Sequence, residues 1–307
     1  NPQSPIPNPQ SPIPIKFIFY YILIYYLEFT IKSFKKMNFY CDLCLNNKEE
    51  TTNSNFNELI SCAILDNFQI ISVNKTCKTS ILEDKTNKKI NNSIYNINRP
   101  ILEDLYKKNS IKFLNVQKPD LINWDKIKIL SRLTLEISEQ KDIFQITKSN
   151  EILKKFDLLA IKPKNDKIFE NILMAEINCD IITIDLYEKF SFMSKKKLIQ
   201  TSVDKGIFFE VEYGKFITDN ESRSNFISNF ILLNNILKGK NLILSSGAEN
   251  LFMQRNPEDV ITILETIFDI KKETAFKMIT ENPIKAVLKG KQRKLFKTTL
   301  DIIKNEK

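Results

Sequence analysis

Short apolar runs alternate with amphipathic segments along most of this chain. Asn38–Leu45 alternates with period two, as a half-buried strand does. Phe56–Leu65 has helical spacing, and Gln69–Val73 is a short Ile-rich strand. Residues 74–125 are rich in Asn and Lys and weakly periodic, so they read as a long loop with one helix near Ile101–Lys108. Ile127–Ile137 is a strand. Phe156–Ile161 is a compact apolar strand stopped by Pro163, and Asp166–Ile177 is a helix. The apolar run in Asp180–Leu186 predicts a strand buried on both faces. Lys195–Lys205 is a helix with a Gly206 stop, followed by a strand over Ile207–Tyr213. Asp219–Leu237 is a long helix closed by Lys238-Gly239, and Asn241–Ser245 is a strand. Pro257–Phe268 is a helix with Pro in its first turn. Lys271–Glu281 and Ile284–Lys304 are two more helices.

Strands that alternate with helices imply a parallel sheet joined by right-handed crossovers. Seven strands over this length fit an α/β fold of the TIM-like (β/α) barrel type better than an open doubly wound sheet. No Gly-x-Gly-x-x-Gly turn follows any strand and no phosphate-binding Gly-x-x-x-x-Gly-Lys-[Ser/Thr] occurs, which leaves nucleotide folds unsupported. The expected organisation is a non-globular leader at 1–36, one barrel domain at 37–283 with a variable loop at about 74–125, and a basic C-terminal helix or tail at 284–307.

The leader stands apart in composition. Asn-Pro-Gln-Ser-Pro-Ile-Pro is repeated in tandem at 1–7 and 8–14, which gives extended chain without a core. The apolar run Phe17–Leu27 is shorter than the roughly 20 residues that span a bilayer. The expectation is a leader foreign to the native protein, with initiation at Met37. A membrane anchor is the alternative.

Composition narrows the chemistry. The 307 residues contain no His, which removes the commonest general base and zinc ligand and the Ser–His and Cys–His pairs. The odd number of Cys, five, suits reduced thiols better than a disulfide framework. Cys41 and Cys44 lie on a strand, where positions i and i+3 face opposite sides, so they do not form half a zinc site. The net charge of +9 is uneven: +3 falls in residues 1–36 and +6 in 284–307, while 37–283 hold 34 residues of each sign. Six basic residues and no acid lie between Lys285 and Lys297, an electrostatic footprint for nucleic acid or else a solvated helix face.

In a barrel, chemistry collects at the carboxyl ends of the strands. Asp42, Asp185 and Glu210 fall there and could hold Mg²⁺ in a stand-alone phosphoesterase; helix capping and pairing with Lys or Arg is the plainer reading. Ser245-Ser246-Gly247 could offer backbone N–H groups to a phosphate, as any small-residue turn into a helix could.

An ordered series of segments carries a family resemblance. It runs from Met37-Asn-Phe-Tyr-Cys-Asp-Leu-Cys-Leu45 through Ile127-Lys-Ile-Leu-Ser-Arg-Leu-Thr134 and Phe156-Asp-Leu-Leu-Ala-Ile-Lys-Pro-Lys164. Asp180-Ile-Ile-Thr-Ile184 with Glu188-Lys-Phe190, and Asp204-Lys-Gly-Ile-Phe-Phe-Glu-Val-Glu-Tyr213, come next. Gly239-Lys-Asn-Leu-Ile-Leu-Ser-Ser-Gly-Ala-Glu249 and Arg255-Asn-Pro-Glu-Asp-Val260 complete it. Together they resemble the thirty-kilodalton protein subunit of ribonuclease P and ribonuclease MRP (RNase P subunit p30). The resemblance runs from about 37 to 295 and is strongest over 127–260.

This resemblance implies a barrel related to the PHP phosphoesterases but without their metal-ligating His set. It implies a non-catalytic, RNA-binding subunit of a nuclear and nucleolar ribonucleoprotein that removes the 5′ leader of precursor tRNA and, in its MRP form, processes rRNA. The RNA would be the catalyst and would hold the Mg²⁺, with no cofactor on the protein. The implied partners are the ribonuclease P/MRP RNA, precursor tRNA and other subunits, including a small pairing subunit, with no membrane. Such a role needs phosphate contacts, not a nucleophile. The candidates are Arg132, Lys162, Lys164, Lys167, Lys189, Arg223 and Arg255, with Lys291, Arg293 and Lys294 from the C-terminal cluster. Tyr213 and Phe190 could stack on bases, with core packing as the alternative.

Overall fold

Apolar residues on the outer faces of the strands, with polar positions such as Arg132, Thr134, Thr183 and Glu210 set among apolar ones on the inner faces, fix the architecture. In the computed structural model, residues 39–47, 53–83, 126–175, 177–188, 193–221 and 223–295 are described. Seven parallel strands form one sheet in chain order: β1 (Tyr40–Asn46), β2 (Phe68–Lys78), β3 (Lys128–Ile137), β4 (Leu158–Pro163), β5 (Ile181–Ile184), β6 (Phe208–Glu212) and β7 (Leu242–Ser245). The longer helices are α1 (Asn53–Leu65), α2 (Gln140–Lys148), α3 (Asp166–Met174), α4 (Lys196–Asp204), α5 (Arg223–Leu237), α6 (Pro257–Phe268), α7 (Lys272–Ile279) and α8 (Glu281–Leu295), and Asn150–Leu153 and Gly214–Thr218 form single helical turns.

The sheet curls into a nearly closed barrel. Instead of a full ladder between β1 and β7, a parallel bridge pairs Leu45 with Ala248, and the Asn46 N–H donates to the Ala248 carbonyl at 2.8 Å. The Asn46 amide donates to Gly247 O at 3.0 Å, and Asp42 Oδ1 accepts the Ser246 N–H at 3.1 Å. Gly247 has φ +61, and a Cβ there would lie 2.7 Å from Glu212 Cβ, so the seam needs glycine. Outward residues such as Leu133, Leu135, Ile161 and Phe209 are buried under the helical layer. The short apolar runs are why the strands could be read from sequence.

The observed elements extend the sequence reading in places. β2 continues to Lys78, past the predicted end at Val73, because its ladder with β3 runs through Lys78↔Glu136. α2 was not predicted; its first turn is fixed by a reciprocal pairing of Glu139 and Asp142, a signal that went unread. The predicted helix near Ile101–Lys108, Lys189, Phe190 and the leader 1–36 lie outside the described residues. Among the described residues no helix is long and apolar enough to cross a membrane.

α8 lies across the amino-terminal ends of the strands. Asn282 donates to Gly239 O at 3.0 Å and Leu242 O at 2.7 Å, below β7. Lys289 donates to Gly206 O at 2.9 Å, below β6. Arg293 reaches Asp180 below β5, at 3.0 Å, and the carbonyls of Leu153 and Phe156 below β4. A Cβ on Gly290 would collide with the Asp157 carbonyl, so only glycine allows this close approach.

Candidate functional site

Period-two polar positions in otherwise apolar strands converge inside the barrel. Arg132 from β3 and Glu210 from β6 meet there with side chains 0% exposed. Arg132 Nη1 and Nη2 donate to Glu210 Oε1 and Oε2 at 2.7 and 2.5 Å. Nη1 also donates to Leu43 O at 2.6 Å, Nη2 to Thr183 Oγ1 at 2.9 Å and Nε to Thr134 Oγ1 at 3.2 Å. The five N–H groups of the guanidinium are thus all used. Glu210 is filled as well: Oε1 also accepts from Ser245 Oγ at 2.7 Å and Oε2 from Thr183 Oγ1 at 2.8 Å. Burial pushes the Glu210 carboxyl up, but the adjacent guanidinium and these hydrogen bonds together hold it below its ordinary range.

The network continues to the seam. Thr134 Oγ1 donates to Asn74 Oδ1 at 2.6 Å, and Asn74 Nδ2 donates to Asn46 Oδ1 at 2.7 Å. Each member has a definite donor or acceptor role, so the whole chain of bonds specifies one arrangement. Asp42 stands beside it, buried, with Oδ2 unpartnered and its pKa pushed up to about 6 by burial.

Above this layer the mouth opens as a cleft of 790 Å³. Lys162 lies 3.6 Å from Asp185 and 4.0 Å from Glu212; desolvation opposes its charge, yet the two carboxylates raise its pKa. Lys75, Lys78 and Lys215 share the mouth with Glu136 and Glu249, so both signs alternate around it.

Cys44, Glu210 and Glu212 form the group of potential metal ligands among the described residues, with donor atoms within 4.8 Å of one another. They do not fit a divalent cation. Every lone-pair site of Glu210 is occupied, and burial drives the Cys44 thiol far toward its neutral form. The predicted alternative of Asp42, Asp185 and Glu210 as a metal set fails for related reasons: Asp42 holds the seam, Asp185 faces Lys162 and the Tyr187 N–H, and Glu210 belongs to Arg132. Cys41 and Cys44 face opposite sides, one toward Thr280 and the other toward Glu212.

Two candidate RNA contacts are corrected by burial. Arg132 is sealed in the barrel, and Arg293, 3% exposed at its side chain, is committed to Asp180 and backbone carbonyls. Neither can reach a phosphate. Lys294 is half-buried on Asp157 at 2.6 Å. Arg223 donates to Phe216 O and Ile217 O, and Arg255 to Phe252 O and Gln254 O, each keeping partial exposure. Lys164, Lys167 and Lys291 are exposed. Tyr213 is buried and bonded to the Arg255 backbone, which makes it core and not a stacking platform. Sequence reasoning missed the Arg132–Glu210 pair; the readable signal was Arg132/Thr134/Glu136 and Glu210/Glu212 at spacing two inside apolar strands.

Comparisons with known proteins agree with this geometry. The chain is 32% identical over 168 residues to mouse "Ribonuclease P protein subunit p30", covering 55% of this chain and 62% of the mouse protein. It is 30% identical over 169 residues to "Probable ribonuclease P protein subunit 3" of Schizosaccharomyces pombe, covering 55% and 70%. With Arabidopsis thaliana "Protein GAMETOPHYTE DEFECTIVE 1" it shares 31% over 166 residues, 54% of this chain and 28% of that protein. The aligned part therefore spans less than two thirds of the plant and mouse relatives. A chain in a cryo-EM structure of archaeal ribonuclease P with mature tRNA shares the fold at a TM-score of 0.50 and 16% identity, covering 84% of this chain and 94% of that one. The family profile described as RNase P subunit p30 matches residues 39–295, nearly the whole barrel together with α8, so the chain belongs to the RNase P subunit p30 family.

Proposed function

We propose that this chain is a non-catalytic, RNA-binding subunit of a nuclear ribonuclease P ribonucleoprotein that removes the 5′ leader of precursor tRNA, and that it also serves ribonuclease MRP in rRNA processing. In this reading the Mg²⁺ that activates water is held by the RNA, and the barrel scaffolds the RNA together with other subunits, including a small pairing subunit. The observation that carries the proposal is the Arg132–Glu210 pair. In a barrel of this family, the interior is spent on an ion pair whose donors and acceptors are all satisfied. It leaves Glu210 no lone pair with which to bind a metal or act as a base on substrate.

The test is to tag the full chain in its own cells, purify it and sequence the RNA that comes with it. One or two abundant structured RNAs, with precursor-tRNA cleavage in the eluate, are expected. Protein free of RNA that turns over small phosphate esters would replace this reading with an enzymatic one.

A further inference from the structure

We infer that RNA docks on the amino-terminal rim of the barrel, across α8, and not over the mouth where a barrel enzyme would take its substrate. The inference rests on the RNA-binding role proposed above and names the face that carries it.

The two ends of the barrel differ in charge. At the mouth, lysines alternate with Glu136, Glu212, Glu249 and Asp185. At the other end the loops that lead into β4, β6 and β7, together with α8, bring forward Lys154, Lys205, Lys238, Lys240 and Lys291. The contacts of α8 place these loops side by side: one helix touches Gly239, Gly206 and the Leu153–Asp157 loop in succession. Of the acids on this face, Asp180 is buried against Arg293 and Asp157 is held by Lys294, so α8 has already neutralised them. Glu151, Asp204 and Glu281 are the other acids of these segments, three against the five lysines.

Helix stability explains only part of this. Lys205 and Lys238 sit just past the C termini of α4 and α5, where a cation offsets the helix dipole. Lys154 follows the single helical turn Asn150–Leu153, Lys240 lies farther along its loop, and Lys291 precedes the last turn of α8.

The chemistry of the face selects its partner. The exposed large hydrophobic side chains among the described residues are Phe144, Met174, Ile231, Leu251, Phe252 and Ile267, and none lies on α8 or on these loops. A protein interface would need such anchors at its centre. A polyanion needs none: flexible ammonium groups on a rigid plate match a phosphate backbone, which positions without reading sequence.

The experiment uses the tagged full chain purified from its own cells at salt concentrations from 50 to 300 mM. Three forms are compared: the wild type, the rim variant Lys154→Glu/Lys240→Glu/Lys291→Glu, and the mouth variant Lys78→Glu/Lys215→Glu. The RNA retained per chain is read against the proteins retained, and thermal unfolding checks that all three fold alike. The rim variant is expected to lose at least tenfold in RNA retention at intermediate salt, with a log–log salt slope shallower by about 2 to 3. The mouth variant is expected to track the wild type. Wild-type retention and slope in the rim variant, with the wild type still carrying RNA, would overturn the inference and leave the proposed function standing. Loss of a co-purifying protein with RNA unaffected would also overturn it, assigning the face to an acidic protein. Absence of RNA from every form would overturn both.

Discussion

Arg132 carries a full charge into a site closed to solvent, and what keeps it there is Glu210. Removing one member of such a pair strands the other, which typically costs about 3–5 kcal/mol, whereas replacing both by apolar groups of similar volume is often far less costly. Arg132→Met and Glu210→Leu are each expected to lower unfolding stability in urea by amounts in that range, with the double variant well short of their sum. Additive losses would mean that the two residues do not act as a unit. Asp42 behaves oppositely with pH. Its folded pKa, raised to about 6 from an ordinary value near 3.8, means that the native state holds a proton the unfolded chain has released between those values. Stability from this residue is therefore fully present below pH 4 and lost as pH rises to 6, by up to about 3 kcal/mol. The difference in melting temperature between Asp42→Asn and wild type should move in favour of the variant as pH climbs from 4 to 6.5. A constant difference across that range would contradict it. Neither role was legible residue by residue. The carboxylates could be placed at strand ends, but pairing across the barrel joins residues 78 apart, and only closure of the sheet shows which cation meets which anion.

Elements were easier to read than their duties. α6 begins at Pro257 and ends at Phe268, as its fixed first turn and apolar stripe predict. The strands are legible as short runs of buried apolar residues. The sequence of α8 reads as a basic helix or tail because residues 284–307 hold eight basic residues against two acidic ones. The buried positions of α8 are Asn282, Pro283, Ile284, Ala286, Gly290 and Arg293, among which Ile284 is the one large hydrophobic side chain. A helix that docks through polar side chains and one glycine has a weak apolar signature whatever its packing. This yields an ordered set of outcomes for the element. Arg293→Ala leaves Asp180 buried and unpaired and should cost about 3–5 kcal/mol. Lys294→Ala, which breaks a pair about one-third exposed at each end, should cost less than about 1 kcal/mol. Unfolding curves in urea that place the two losses level would show that α8 is not anchored at Arg293.

At the scale of the whole molecule, a barrel normally concentrates its chemistry where the strands end, and this one has its interior filled by an internal cation. The guanidinium of Arg132 neutralises Glu210 from within, with Leu43, Thr134, Thr183 and Ser245 completing the shell. A divalent ion placed there would have to displace a bidentate partner whose own burial would then be uncompensated, so binding would oppose folding instead of supporting it. Stability of the full chain should therefore be indifferent to metal. Melting temperatures measured in excess EDTA, in Mg²⁺ and in Mn²⁺ should coincide, because a ligand that binds the native state raises its stability by mass action and no such ligand fits inside the barrel. A melting point that rises with Mn²⁺ and falls on chelation would place a functional ion in the barrel, and the reading of Arg132 as the resident cation would fail with it. Agreement across the three conditions is the outcome that the Arg132–Glu210 pair as the resident charge pair requires.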